Sequence, residues 1–199
     1  MNVNINKICL NSIDCITQLA IQRYPDIKSD NLTNAKIKRL LKRLIRNKDC
    51  ILKMSCVSFT IKCPLFVYYE LKTFCRNVKI HKYYIKEDFQ FDVSEKFTEE
   101  HISHLSCIYK KINSTFKNID VKELSTEQML YFLPMSINVT FYPILNFIEI
   151  FDILSLSHNY NLMDKTKELL MNILATLESE VPDVFTEENV NLYINSKES

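Results

Sequence analysis

The 199-residue sequence contains no glycine. Phosphate-binding loops of the Walker type and dinucleotide-binding fingerprints need glycine for tight turns and for close approach of backbone to phosphate, so both are excluded. Left-handed turn positions must then fall to Asn and Asp, which tolerate them best after glycine. Only four histidines are present, and none pairs recognisably with a Ser or Cys nucleophile. No apolar run approaches the ~18 residues that a membrane helix needs. The opening MNVNINKICL lacks a basic segment followed by an apolar one, so no secretory signal is read there. Net charge is +1, which gives no overall field directed at nucleic acid.

What is present points to one ordered domain spanning 1–199, with 47% hydrophobic residues and no internal repeat or linker. Seven cysteines, an odd number, without a secretory signal favour reduced thiols and an intracellular, cytoplasmic setting. The excess of Asn, Ile, Lys and Tyr is the usage of an AT-rich genome, such as those of some viruses and parasites.

The most informative stretch runs from Val57 to Tyr84. Val57, Phe59 and Ile61 alternate with Ser58, Thr60 and Lys62, the period of a half-buried strand. Pro64 suits a first helical position, because its missing N–H would be unpaired there. Leu65, Tyr68, Leu71 and Phe74 follow at helical spacing, with Asn77 as the stop. Elsewhere the patterns predict a strand over 5–10 and a helix from Asn11 or Ser12 to before Pro25. A second helix, capped by Thr33 or Asn34, carries a Leu40, Leu41, Leu44 stripe against a basic face from Lys36 to Lys48. Strands are expected over 78–85 and 89–93, and a helix from Ser94 or Thr98 to about Asn113. A capping box is read at Ser125–Gln128, and Ile137, Val139 and Phe141 alternate. A buried helix is expected from Pro143 to about Leu156, another over 164–180, and a last one capped by Thr186.

Two local signals invite chemistry. His101, His104 and Cys107 share roughly one helix face, but a zinc site usually takes four ligands and no fourth is evident, so no metal is assigned. The basic face reads either as a phosphate contact or as a solvated amphipathic helix. Balanced charge and the lack of interleaved aromatics favour the second. Cys63 and Cys75 read as packing residues.

SFTIKCPLFV, at 58–67, resembles the FTFHIK…CPIFVARQW segment of the flavin-dependent thymidylate synthases, the ThyX family. Leu133-Pro-Met-Ser-Ile-Asn-Val-Thr-Phe-Tyr-Pro-Ile-Leu-Asn146 resembles its LPLSTYTxFYWxxN, and Val181-Pro-Asp-Val-Phe185 its terminal PxxF. The resemblance runs over about 5–185. It implies an α+β fold, a small twisted antiparallel sheet packed with long helices. It also implies a homo-oligomer, since the family is tetrameric with sites between subunits.

The family's functional letters are altered. Its R-H-R falls at Thr73-Phe74-Cys75. The R-N-G-H-x-S-P segment, which supplies flavin and substrate contacts, falls at Arg46-Asn47-Lys48-Asp49 and keeps neither the glycine nor the histidine. The arginine of E-x-A-R is Leu130, while Glu127 remains as a vestigial substrate-binding residue. N-L-R, a flavin contact, keeps Asn146 as a vestigial cofactor-binding residue and has Ile148 for the arginine. L-R has become Leu156-Ser157, and H-A-Q has become Asn161-Leu162-Met163. The family transfers a methylene from folate to deoxyuridylate with reduced flavin, and the protein supplies positioning and positive charge. The changes therefore predict a catalytically inactive relative with a structural, assembly or regulatory binding role, no catalytic residues and no bound cofactor. The alternative is an enzyme that keeps FAD and acts on dUMP, or another flavin or nucleotide enzyme, through a rebuilt site with replacement cations from a neighbouring subunit; local realignment to Arg76, Lys72 or Lys79 would not restore the family pattern. A nucleic-acid-associated structural protein is a third reading, and a protein partner other than a second copy is compatible with the first.

Overall fold

The computed structural model describes residues 2–9, 13–24, 33–74, 97–118, 134–158 and 161–196. The chain begins with strand β1, Asn2–Cys9, then helices α1, Ile13–Arg23, and α2, Asn34–Arg46. A short 3-10 helix, Cys50–Met54, leads into strand β2, Cys56–Pro64, and helix α3, Leu65–Phe74. Helix α4 is Glu99–Asn118. Strands β3, Asn138–Phe141, and β4, Ile144–Asn146, precede helix α5, Phe147–Ser155. A 3-10 turn, Leu156–His158, and helices α6, Asp164–Glu180, and α7, Glu187–Asn195, complete the described chain. The strands expected over 78–85 and 89–93, the stop at Asn77 and the capping box at Ser125–Gln128 lie outside the described residues.

β2 is the axis of the sheet. Its burial alternates strictly, with Val57, Phe59, Ile61 and Cys63 inward, as the sequence pattern predicts. β1 pairs antiparallel with one side of it and β3 and β4 with the other. β3 and β4 keep one register along β2, with Phe141 opposite Ile61 and Ile144 opposite Ser58. They are a single strand interrupted at Pro143. Its carbonyl accepts from the Phe59 amide at 3.0 Å, but proline has no N–H to return the bond. In β1 the apolar positions Val3, Ile5 and Ile8 fall out of alternation by one residue. A register shift between Ile5 and Lys7 absorbs the extra residue and sets Ile8 opposite Val57.

The core lies between the inner face of this sheet and α2, α5, α6 and α7. Phe59, Phe141, Phe147, Phe151, Phe185 and Tyr193 are its largest fully buried side chains. Each such side chain contributes roughly 1.5–3 kcal/mol by burial. α6 has the bounds that the Leu169–Leu177 stripe predicts, and its inward residues are fully buried or nearly so. α4 starts one residue after Thr98, whose hydroxyl accepts from the His101 amide while the His101 ring accepts from the Thr98 amide, both at 3.3 Å. It runs to Asn118 rather than Asn113.

Three expectations are corrected. Pro143, Ile144 and Leu145 do not open the buried helix; β4 ends at Asn146, which caps α5. An apolar run of this kind carries no period, and pairing with Cys56–Ser58 claims it for the sheet. Ile144, expected among the buried residues of that helix, is exposed. The left-handed position in the described chain falls neither to Asn nor to Asp but to Lys48, with φ 48°.

Candidate functional site

The positions that matter are those that the resemblance assigns to flavin, nucleotide and folate chemistry, and the fold distributes them over four element ends. The first is the turn after α2. Asn47 closes the helix: its amide donates to the Arg43 carbonyl at 3.0 Å, and the Lys48 amide donates to the Ile45 carbonyl at 3.1 Å. Lys48 then takes the left-handed conformation where the family pattern has glycine. The cost is about 1–2 kcal/mol for a residue with a Cβ. Part of it is offset by the Lys48 ammonium, which sits 4.7 Å from the centre of the Tyr193 ring.

Asp49, at the family's histidine position, turns inward and is only 5% exposed. Its carboxylate accepts from the Tyr24 hydroxyl at 2.6 Å and from the Ile51 amide at 3.1 Å, capping the 3-10 helix. Arg23 lies 3.2 Å away. Burial pushes the Asp49 carboxyl up, and the Tyr24 hydroxyl, the Ile51 amide and Arg23 together outweigh it and hold it below the usual carboxylate range. The same bond to Asp49, with burial, pushes the Tyr24 phenol up. Asp49 thus ties α1 to the 3-10 helix and is not available to a ligand.

The second place is the β4–α5 junction. Asn146 is half-buried and is spent on a capping box: its side chain accepts from the Glu149 amide at 3.0 Å, and Glu149 accepts from the Asn146 amide at 2.8 Å. Ile148, one of the arginine replacements, is partly buried against the core. The third is the end of α3. Thr73 is exposed, and its hydroxyl donates to the Tyr69 carbonyl at 2.8 Å. The fourth is the turn after α5, where the Ser157 hydroxyl donates to the Leu154 carbonyl at 2.7 Å. Beyond it the Met163 amide donates to Glu70 at 3.2 Å, and the Thr166 hydroxyl donates to the same carboxylate. Glu70 thereby caps α6 from α3, with its negative charge at the helix N-terminus. Cys75, Arg76, Lys79, Glu127 and Leu130 lie outside the described residues.

The remaining candidates are quickly placed. His101, His104 and Cys107 are exposed on α4, and among the described residues no three His, Cys, Asp or Glu side chains are grouped to hold a metal ion. Cys63 is buried in the core, as a packing residue is. The basic face of α2 is partly neutralised from within the chain. Lys38 pairs with Asp183 at 3.1 Å and Lys42 with Glu188 at 2.6 Å. The Arg43 guanidinium covers the Tyr24 ring at 4.2 Å. A cavity under the sheet, lined by Phe59, Ile61, Leu71, Phe141, Leu145 and Ile173 among others, is apolar and offers nothing to a phosphate. Tyr193, whose hydroxyl donates to Asp152 at 2.8 Å, is stacked on Phe151, and burial followed by that bond pushes its phenol far up.

No protein-family model matches the sequence, and no curated protein matches it. Among solved structures, the crystal structure of thymidylate synthase X from Helicobacter pylori, with FAD and dUMP, superposes with a TM-score of 0.64. The alignment covers 96% of this chain and 99% of that one at 14% sequence identity. The fold is ThyX-like. No helix among the described residues is long and apolar enough to cross a membrane. The described residues that the motif resemblance sets against the family's arginines are Thr73, Ile148 and Ser157. None carries a charge, and both hydroxyls already bond to their own helical turn. They do not fit the pyrophosphate of a flavin dinucleotide or the phosphate of a nucleotide.

Proposed function

We propose that this chain is a ThyX-like protein without thymidylate synthase activity, serving a structural, assembly or regulatory binding role. The observation that carries this reading is the local commitment of the residues where ThyX chemistry needs ligand contacts. Thr73 and Ser157 bond to backbone within one turn, Asn146 caps a helix, and Asp49 is buried in a scaffold cluster. A buried phosphate oxygen left without its cation loses on the order of 2–5 kcal/mol per missing partner. Several such losses remove tight binding of both flavin and nucleotide. The protein acts as a homo-oligomer or through a protein partner, with Glu127 and Asn146 as remnants of the ancestral contacts.

A second reading is an enzyme that retains FAD and dUMP with cations supplied by a neighbouring subunit. The near-complete overlap with a structure holding both ligands favours it. Nucleic-acid binding by α2 is disfavoured by the pairing of Lys38 and Lys42 with acids near α7. An absorbance spectrum of the purified protein, followed by an FAD fluorescence titration, separates the first two readings. The proposal expects no flavin band and no saturation at ~100 μM FAD. Co-purification of stoichiometric flavin would overturn it.

A further inference from the structure

We propose that Cys9 and Cys56 form a thiol pair that a small disulfide oxidant closes into a cross-strand bond, fastening β1 to the centre of the sheet. The register of β1 on β2 sets Cys9 directly opposite Cys56, after the shift at Ile5 and Lys7. Directly opposed residues of an antiparallel pair share one face of the sheet. Their Cα atoms lie about 4.5–5.5 Å apart, inside the roughly 4.4–6.8 Å that a disulfide spans. Cys56 is a free, half-buried thiol on the face of β2 that alternates with the core-facing one. Cys63, by contrast, is sealed in the core, and Cys50 and Cys107 sit on the 3-10 helix and on α4.

The bond has something to hold. β1 is an edge among the described strands, and its Val3 and Ile5 are only partly buried. Across β2, Cys56 is paired with Asn146, so the same row reaches the capped start of α5. Oxidation therefore fixes the edge strand to the row that carries the β4–α5 junction.

The chemistry balances with oxidised glutathione as oxidant. The Cys56 thiolate attacks one sulfur of the glutathione disulfide and releases one glutathione thiolate, which takes the proton Cys56 gave up. The Cys9 thiolate then attacks the Cys56 sulfur of the mixed disulfide and releases the second glutathione. Two protein thiols are oxidised to one disulfide, and one glutathione disulfide is reduced to two thiols.

The test is non-reducing peptide mapping of the full chain after incubation with oxidised glutathione, with hydrogen exchange on the same samples. The expected result is a linked peptide pair containing Cys9 and Cys56, with exchange of the β1 amides slowed roughly tenfold or more. In Cys9→Ser the link is absent, and Cys56 accumulates as the stable glutathione adduct. Separate glutathione adducts on Cys9 and Cys56 of the unsubstituted protein, or links from either residue to another cysteine, overturn the proposal. The decisive readout needs no variant, so a Cys9→Ser chain that fails to fold leaves it falsifiable.

Discussion

Replacing Asp49 tests the claim that this side chain serves the scaffold. Asp49→Ala removes a charge-assisted bond to Tyr24 and the cap on Ile51. The first contributes about 1.5 kcal/mol, the low end for a bond to a charged group, because the tyrosine is partly solvated. The cap contributes about 1 kcal/mol. Arg23 is half exposed, so its ion pair adds little beyond these. The expected loss is ~2–3 kcal/mol, or roughly 5–10 °C in Tm for a chain of this size. Asp49→Asn keeps an oxygen for the Ile51 amide and loses less. The pH dependence gives an independent check. The folded carboxyl titrates below its unfolded value of about 3.9, so its stabilisation is fully present above that value. It is lost as pH falls through the folded pKa. Thermal unfolding from about pH 7 to pH 3 should therefore show a smaller acid loss in Asp49→Asn than in the unsubstituted protein. An Asp49→Ala protein melting within ~2 °C of the original, with an unchanged acid profile, refutes the reasoning.

Three further outcomes are expected. Glu70→Ala should lower stability by ~1–2 kcal/mol in urea unfolding, since it leaves the start of α6 uncapped, and Glu70→Gln by less. Asn146→Ala should cost about 1 kcal/mol while Asn146→Asp holds the denaturation midpoint, because the side chain works as a cap. Lys48→Gly should leave Tm within ~2 °C, as relief of the left-handed strain offsets the lost ring contact and the added chain entropy; Lys48→Ile should melt lower, a β-branched residue being the worst fit to that conformation.

The parts of the fold legible in the sequence are those whose signal is local and periodic. The alternation of Val57, Phe59 and Ile61 and the stripe of α6 both report a single buried face, and the structure bears them out. Thr186 was readable as a cap, and it accepts from the Asn189 amide. The start of α5 departs from the expected one because Ile144 and Leu145 suit either element, although Asn146 and Glu149, three residues apart, carry a capping signal that places the helix correctly. The partners of the α2 basic face were hidden by distance: Lys42 and Glu188 stand 146 residues apart. The burial of Asp49 is likewise invisible in the sequence, because Tyr24 reaches it from just past the end of α1, 25 residues away. Lys48 in a left-handed turn had no sequence signal beyond its alignment with a family glycine. The candidate site was legible only as departures from the motifs the sequence resembles; the local backbone bonds and caps that engage Thr73, Ser157 and Asn146 required coordinates.

The most direct test of the central claim is a turnover assay with reduced FAD, deoxyuridylate and methylene-tetrahydrofolate, reading the methylated nucleotide. A scaffold without the ThyX cations predicts product indistinguishable from the protein-free blank. Methylated nucleotide that accumulates in proportion to protein would contradict it, and would place the missing charges on a neighbouring subunit.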